Sequence, residues 1–259
     1  MKNIKKIENS LNPPVMVMST DSYSDVWNVF FYYFKIFWAD DKMKVYLITE
    51  NLRPNIENIE VLNSEKDSWS GVLIDALLQV SDDYIVLILD DMFITDYVDK
   101  KQVKNAMNFI STNDSVGCVR LGGNDRTRVL SSSSYKNVHL VDKKSPYRVT
   151  TSPSIWDRRH LIEILSNGES PWEFESKGTE RASKYSEEYY NLTKDAIVTF
   201  NTWVADSAII RGKWQYHAIK MLKRDNQLID FSQRGVATKT LPLLSPLLFL
   251  KRFFINFLR

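Results

Sequence analysis

The sequence predicts an α/β protein with a mixed, mainly parallel sheet flanked by helices. Short apolar runs alternate with amphipathic segments between residues 15 and 121. One run, Tyr84 to Leu89, is apolar throughout, as expected of a parallel strand covered on both faces. The 259 residues, 44% apolar and 25% charged, are enough for one large core and match neither a disordered nor a collagen-like chain.

Val15 to Thr20 opens after Pro13-Pro14 and closes on Asp21, the pattern of a buried strand ending in a polar loop. Val26 to Trp38 is apolar almost all round and is expected as a helix capped by Ser24 and Asp25. Met43 to Thr49 is the next strand. Ser68 or Ser70 caps a helix to about Val80, Tyr84 to Leu89 follows as a central strand, and Asp99 to Ile110 reads as a helix. Val116 to Leu121 is a strand broken by Gly122-Gly123. In a doubly wound sheet ligands lie beyond the carboxyl ends of the strands. That position makes Ser19 to Asp25, Lys66 to Ser70 and Asp90 to Thr95 the candidate loops.

Beyond Gly123 the pattern is less regular and Ser-rich. Short strands are expected near Asn137 to Val141 and Arg148 to Thr151, with helices near Asp157 to Leu165, Glu180 to Tyr190 and Lys213 to Lys223. The chain is read as one catalytic domain over 1–240, with a ligand-binding half at 13–123 and a second half at 124–240, followed by a tail at 241–259.

A net charge of +2 is too balanced for a protein gripping nucleic-acid phosphates over a broad face. The single Cys118 excludes an internal disulfide, and with three scattered histidines it makes no Cys/His zinc site. Any metal is therefore expected on carboxylates. His139, His160 and His217 are expected in structural roles. Residues 1–21 lack the long apolar core of a secretory signal, so the catalytic mass is expected in the cytoplasm. The tail carries Lys251, Arg252 and Arg259 and no acid. On a helix from Pro246 its polar residues fall within an arc of roughly 140°, leaving Leu250, Phe253, Phe254, Phe257 and Leu258 on a broad apolar face. Such an amphipathic helix suits a membrane interface with anionic lipids, or docking on protein.

Asp90-Asp91 closes the central strand where a parallel sheet places its ligands, and hard divalent cations take oxygen donors. Mg²⁺ or Mn²⁺ on these carboxylates would act as a Lewis acid on a departing diphosphate, whereas the alternative is a simple turn cap. Trp172-Glu173-Phe174-Glu175 presents two carboxylates among aromatics, a setting for a general base, with surface acids in a loop before a helix as the alternative. Thr20, Asp21 and Tyr23 offer an acid and an aromatic face to a ribose or base, with helix capping as the competing role. Trp69-Ser70 carries the same ambiguity. Trp156 and Trp172 are candidates for a ligand-stacking floor, with a place in the core as the commoner role of tryptophan. Arg211 and Lys213 flank Gly212, which allows close backbone approach to a ligand, and their charge suits a leaving diphosphate, with solvated surface cations as the competing role.

These stretches, in order, resemble the bacterial GT-A glycosyltransferases of capsule and lipopolysaccharide synthesis. The carriers are Ser19 to Trp27, Val45 to Thr49, Trp69-Ser70, Tyr84 to Phe93, Pro153 to Trp156, Ser170 to Glu175 and Ile210 to Trp214. The resemblance implies a GT-A-like fold and a nucleotide-sugar donor, with UDP-sugars as the leading class, lying across the first strand ends. It implies a strand-end metal site, with Asp91 first and Asp90 second or facing the donor sugar. Met92 stands where a strict D-x-D motif has its second acid. The family pattern Trp-x-Phe-Glu ranks Glu175 ahead of Glu173 as the base of an inverting transfer. The implied acceptor is a glycan, lipid-linked and reached at the inner membrane face through residues 241–259. Two other readings stand beside this one: a haloacid-dehalogenase-type phosphotransferase using the aspartates after Leu89, and a non-catalytic glycan- or membrane-binding scaffold.

Overall fold

A computed structural model describes residues 12–40, 42–123, 127–130, 137–200 and 207–237. Strands β1 (Val15–Met18), β2 (Val45–Thr49), β3 (Glu60–Asn63), β4 (Tyr84–Leu89), β5 (Val116–Arg120), β6 (Val138–Leu140), β7 (Ser154–Asp157) and β8 (Glu188–Leu192) form one sheet. Its order is β3-β2-β1-β4-β7-β5-β8-β6. Parallel pairing joins β3 to β2, β2 to β1, β1 to β4 and β5 to β8; β7 runs antiparallel between β4 and β5, and β6 antiparallel on β8. This is the mixed, mainly parallel, Rossmann-like α/β architecture that the sequence predicts.

From β1 the chain steps outward through β2 and β3, then returns to place β4 on the other side of β1. The carboxyl ends of β1 and β4 therefore flank a topological switch point, where open α/β sheets take ligands. Helix α1 (Ser24–Phe37) buries Trp27, Phe30, Phe31, Tyr33 and Phe34, each contributing about 1.5–3 kcal/mol by removal from water. Its Trp27 indole donates to Ser19 just past β1, at 2.6 Å. The side chains of Met16, Met18, Ile85 and Leu87 belong to a second layer with α2 (Trp69–Gln79), α4 (Arg158–Ile164) and Phe174. α3 (Lys100–Thr112) lies against β5 and β7.

Four elements depart from the sequence reading. β3 was not expected, because it is a four-residue edge strand with no fully buried position, and such a strand carries no apolar run. Residues 148–151 are not a strand: Tyr147 takes a positive φ of 53°, and Ser152 N–H donates to the Thr150 hydroxyl at 3.2 Å. Hydroxyl side chains there compete with ladder pairing. The expected helix over 180–190 ends at Ala182, and β8 begins at Glu188, where pairing of Tyr189 with Cys118 outweighs local helix preference. The helix expected from Lys213 begins instead at Tyr216 as α7 (Tyr216–Arg224). Lys213–Trp214 (β10) pairs with Ile209–Ile210 (β9) through a two-residue turn. Arg211 at φ 51° and Gly212 at φ 75° give that turn the primed geometry of a hairpin.

The chain divides into two compact units between Thr199 and Phe200, so β9, β10 and α7 belong to the second unit. Within it Trp214 is buried and meets Phe231 edge-on at 5.6 Å. The tail at 241–259 lies outside the described residues. No described helix is long and apolar enough to cross a membrane.

Cys118 lies buried in β5 opposite Trp156, and burial pushes its thiol up to about 12. His160 is likewise buried; its Nε2 shares a 2.7 Å hydrogen bond with the Tyr189 hydroxyl, and burial lowers its pKa.

At Gly122 the chain passes the 194–199 segment so closely that an added Cβ would sit 2.2 Å from the Ile197 carbonyl oxygen. Gly122→Ala is expected to lower stability by about 1–3 kcal/mol, the usual range for overpacking. Urea unfolding of the two proteins provides the check.

Candidate active site

Three loops meet the carboxyl edge beside the switch point. The first leaves β1 through a short 3₁₀ turn, Asp21–Tyr23, which enters α1 with no side-chain cap. Ser24 and Asp25, expected as caps, lie instead in the first turn of α1. The Asp21 carboxylate accepts the backbone N–H groups of Asn51, at 3.0 Å, and Leu52, at 3.2 Å. The Asp21 N–H in turn donates to Glu50. Burial pulls the Asp21 pKa upward, but the Leu52 and Asn51 donors outweigh it and hold the carboxyl below its ordinary value. For Glu50, burial dominates and raises the pKa, with the Asp21 charge adding to it. Asp21 thus ties the loop after β1 to the loop after β2. Thr20 and Tyr23 remain half-exposed beside it.

A polar cleft of about 410 Å³ opens at the ends of β2 and β3, lined by Glu50, Arg53, Asn63, Lys66 and Asp75 among others. The sequence reading reached Lys66 only as part of a loop and missed the rest. Their signal is positional: all but Asp75, which lies within α2, follow or close a strand at one edge.

Asp90 and Asp91 form the second loop. Asp90 is buried, and its carboxylate accepts the Ser19 hydroxyl, which itself accepts from Trp27. Asp90 therefore joins β4 to β1 and to α1. Asp91 is half-buried in the turn that follows. Among the described residues, no three His, Cys, Asp or Glu side chains converge as a metal cage. A divalent cation at Asp91 would have to take its remaining ligands from substrate phosphates and water.

The third loop precedes β7. Antiparallel pairing sets Leu87 of β4 opposite Ser154, and Leu121 N–H donates to the Pro153 carbonyl at 2.8 Å. The run 150–153 therefore stands at the same edge as Asp90-Asp91. Glu175 is fastened to it: Oε1 accepts Thr151 N–H at 2.9 Å, the Thr151 hydroxyl at 2.9 Å and the Thr150 hydroxyl at 3.1 Å. Glu175 lies in a π turn, Phe174–Gly178, between α5 (Pro171–Glu173) and α6 (Thr179–Ala182). Phe174 is fully buried and packs on Trp69 at 5.6 Å.

Glu173 is arranged differently. It closes a capping box with Ser170 and pairs with Lys177 at 2.9 Å. The Ser170 N–H, then Lys177, pull its pKa down from 4.5 to about 2. Such a carboxylate serves the helix start and is a poor base near neutrality.

Ser70 is buried with its hydroxyl accepting Glu169 N–H at 2.8 Å. The N-cap of α2 is Ser68, which accepts Gly71 N–H at 3.1 Å. Trp156, expected on an acceptor floor, is fully buried in β7 and presents no face to a sugar; as a central-strand residue paired with Ile85 and Cys118, it serves the core. Trp172, 72% exposed, keeps a face open next to Glu173. Arg211 and Lys213 lie on the hairpin of the second unit.

Fold and edge together define an α/β protein with a polar cleft at the ends of β2 and β3 and a carboxylate, Glu175, anchored at the edge beside the switch point. No family model matches the chain, and no curated protein matches it. Among solved structures it is similar to Staphylococcus aureus TarS 1–349 in complex with UDP, at 14% identity over 71% of this chain and 59% of that one, with a TM-score of 0.49. It is also similar to a cytidylyltransferase from Leptospira borgpetersenii, at 13% identity over 84% of this chain and 96% of that one, TM-score 0.46. A third is CMP:2-keto-3-deoxy-manno-octonic acid synthetase complexed with CTP, at 10% identity over 72% and 91%, TM-score 0.40. The chain thus spans about three fifths of the TarS chain. At these scores the sheet topology, not the likeness, defines the class.

The Glu173 capping box carries a pH dependence. Its folded pKa is depressed, so its stabilisation is complete above the ordinary glutamate value of 4.5 and fades as pH falls toward about 2. Melting temperatures of wild type and Glu173→Gln are expected to differ at pH 7 and to converge across that window.

Proposed function

We propose that this chain is a nucleotide-sugar-dependent glycosyltransferase, passing a sugar with inversion from a donor, UDP-sugars foremost, to a bacterial surface glycan. The observation that carries the reading is the shared edge of Asp91 and Glu175 beside the β1–β4 switch point. The donor's base and ribose would lie along the ends of β1 and β2, over Thr20, Tyr23 and the cleft at Glu50 and Arg53. Its diphosphate would reach toward Asp91. The acceptor would approach past Trp172.

In the transfer, Glu175 takes the proton of the acceptor hydroxyl. The acceptor oxygen forms its bond to the anomeric carbon as the bond to the diphosphate breaks, and the electron pair leaves on the phosphate oxygen. Asp91, with Mn²⁺ or Mg²⁺ bound, would supply Lewis-acid stabilisation of that departing charge. Binding at the inner membrane face to a lipid-linked acceptor rests on the basic, apolar sequence at 241–259, outside the described residues. A haloacid-dehalogenase-type mechanism is less well supported, because it needs two aspartates separated by one residue, and Asp90 is engaged by Ser19.

Calorimetry with UDP-, GDP-, CMP- and dTDP-sugars, with and without Mn²⁺ and with chelator, tests donor class and metal need together. Saturable binding of one class is expected. Glu175→Gln should keep donor affinity and lose about 10²–10⁴ in turnover, the usual contribution of a positioned base. Asp91→Ala should abolish transfer. Normal turnover in Glu175→Gln removes that residue from the mechanism.

A further inference from the structure

The geometry points to Thr150 and Thr151 as positioning residues that fix the Glu175 carboxylate so that only Oε2 faces the acceptor. This inference rests on the transferase reading above.

A carboxylate offers about four lone-pair sites, two on each oxygen. At Glu175 the Oε1 side receives three donors: the Thr150 hydroxyl and the hydroxyl and N–H of Thr151. These donors use up that oxygen. Both threonines are buried, at 8% and 6% exposure, whereas Glu175 is half-buried. The donor side is thus fixed within the protein and the remaining oxygen is the one left to accept a proton.

The anchorage extends to the backbone. Thr179 Oγ1 donates to the Glu175 carbonyl at 2.6 Å and accepts Val149 N–H at 3.0 Å. The 149–151 run and the π turn are therefore held together on both sides of the Glu175 side chain. Thr150 is itself held by Ser152, whose N–H donates to its hydroxyl. A base works when its lone pair is already aimed at the proton it removes. Glu173, four residues before Lys177, has its oxygens engaged by Ser170 and Lys177 and lacks any such arrangement.

The test measures nucleotide release by the full chain (the nucleoside diphosphate, or CMP from a CMP-sugar), with water as acceptor and the nucleotide sugar of the four-member panel that binds. Thr150→Val/Thr151→Val is expected to lower kcat about tenfold with KM for donor within about twofold, since the change acts on the chemical step. Thr150→Ser/Thr151→Ser, which keeps both hydroxyls, is expected to retain kcat. Added to Glu175→Gln, the valine pair should cause no further loss, because residues acting as one unit are not additive.

A valine pair with wild-type kcat, or one that lowers the rate further in the Glu175→Gln background, overturns the positioning role while leaving the transferase reading intact. Glu175→Gln with wild-type turnover removes Glu175 as the base and the positioning role with it, whereas a wild-type chain that releases no nucleotide from any panel sugar overturns the transferase reading itself. Should the double variant not fold, Thr150→Val and Thr151→Val singly carry the same comparison, each expected at about threefold.

Discussion

An antiparallel strand set between two parallel ones governs the site. Parallel strands all end at one edge, and their connections must cross back before the next begins. β7 runs the other way between β4 and β5, so the residues that precede it arrive where its neighbours finish. The Leu87–Ser154 pairing brings a run of threonine and serine level with the aspartates after β4. Glu175, distant in sequence, needs only to bond that run to join the same edge. Any shift of β7 by one residue would turn Trp156 from the core to the opposite face and carry the threonine run with it.

A second constraint holds the other half of the edge. Ser19 accepts the Trp27 indole and donates to Asp90, which couples β1, α1 and β4 through three side chains. The two aspartates, adjacent in sequence, consequently divide their work. Asp90 faces inward and keeps the strand ends together, and Asp91 stays half-exposed in the turn. A buried carboxylate is tolerable only when hydrogen-bonded, and Ser19 meets that requirement.

Much of the first half was legible because periodicity and strand-end chemistry are local. The runs at 15–18, 45–49, 84–89 and 116–120 appeared where expected. What escaped was decided by distant partners. Nothing local shows that Glu188 to Leu192 pairs with β5, that Asp21 binds the loop after β2, or that the Thr150-Thr151 pair grips a glutamate in another turn. Trp156 looked like a ligand face because tryptophan types do not reveal their neighbours; its place in the middle of the sheet was set by pairing with Ile85 and Cys118.

The sole cysteine has a use apart from catalysis. Thiol reagents attack the thiolate, and a side chain that is both enclosed and hard to ionise is almost inert toward them. Cys118 sits in β5, between β7 and β8, so alkylation must wait for those strands to separate. The chain thereby carries an intrinsic clock: the rate at which it is alkylated in native buffer reads how often the middle of its sheet comes apart.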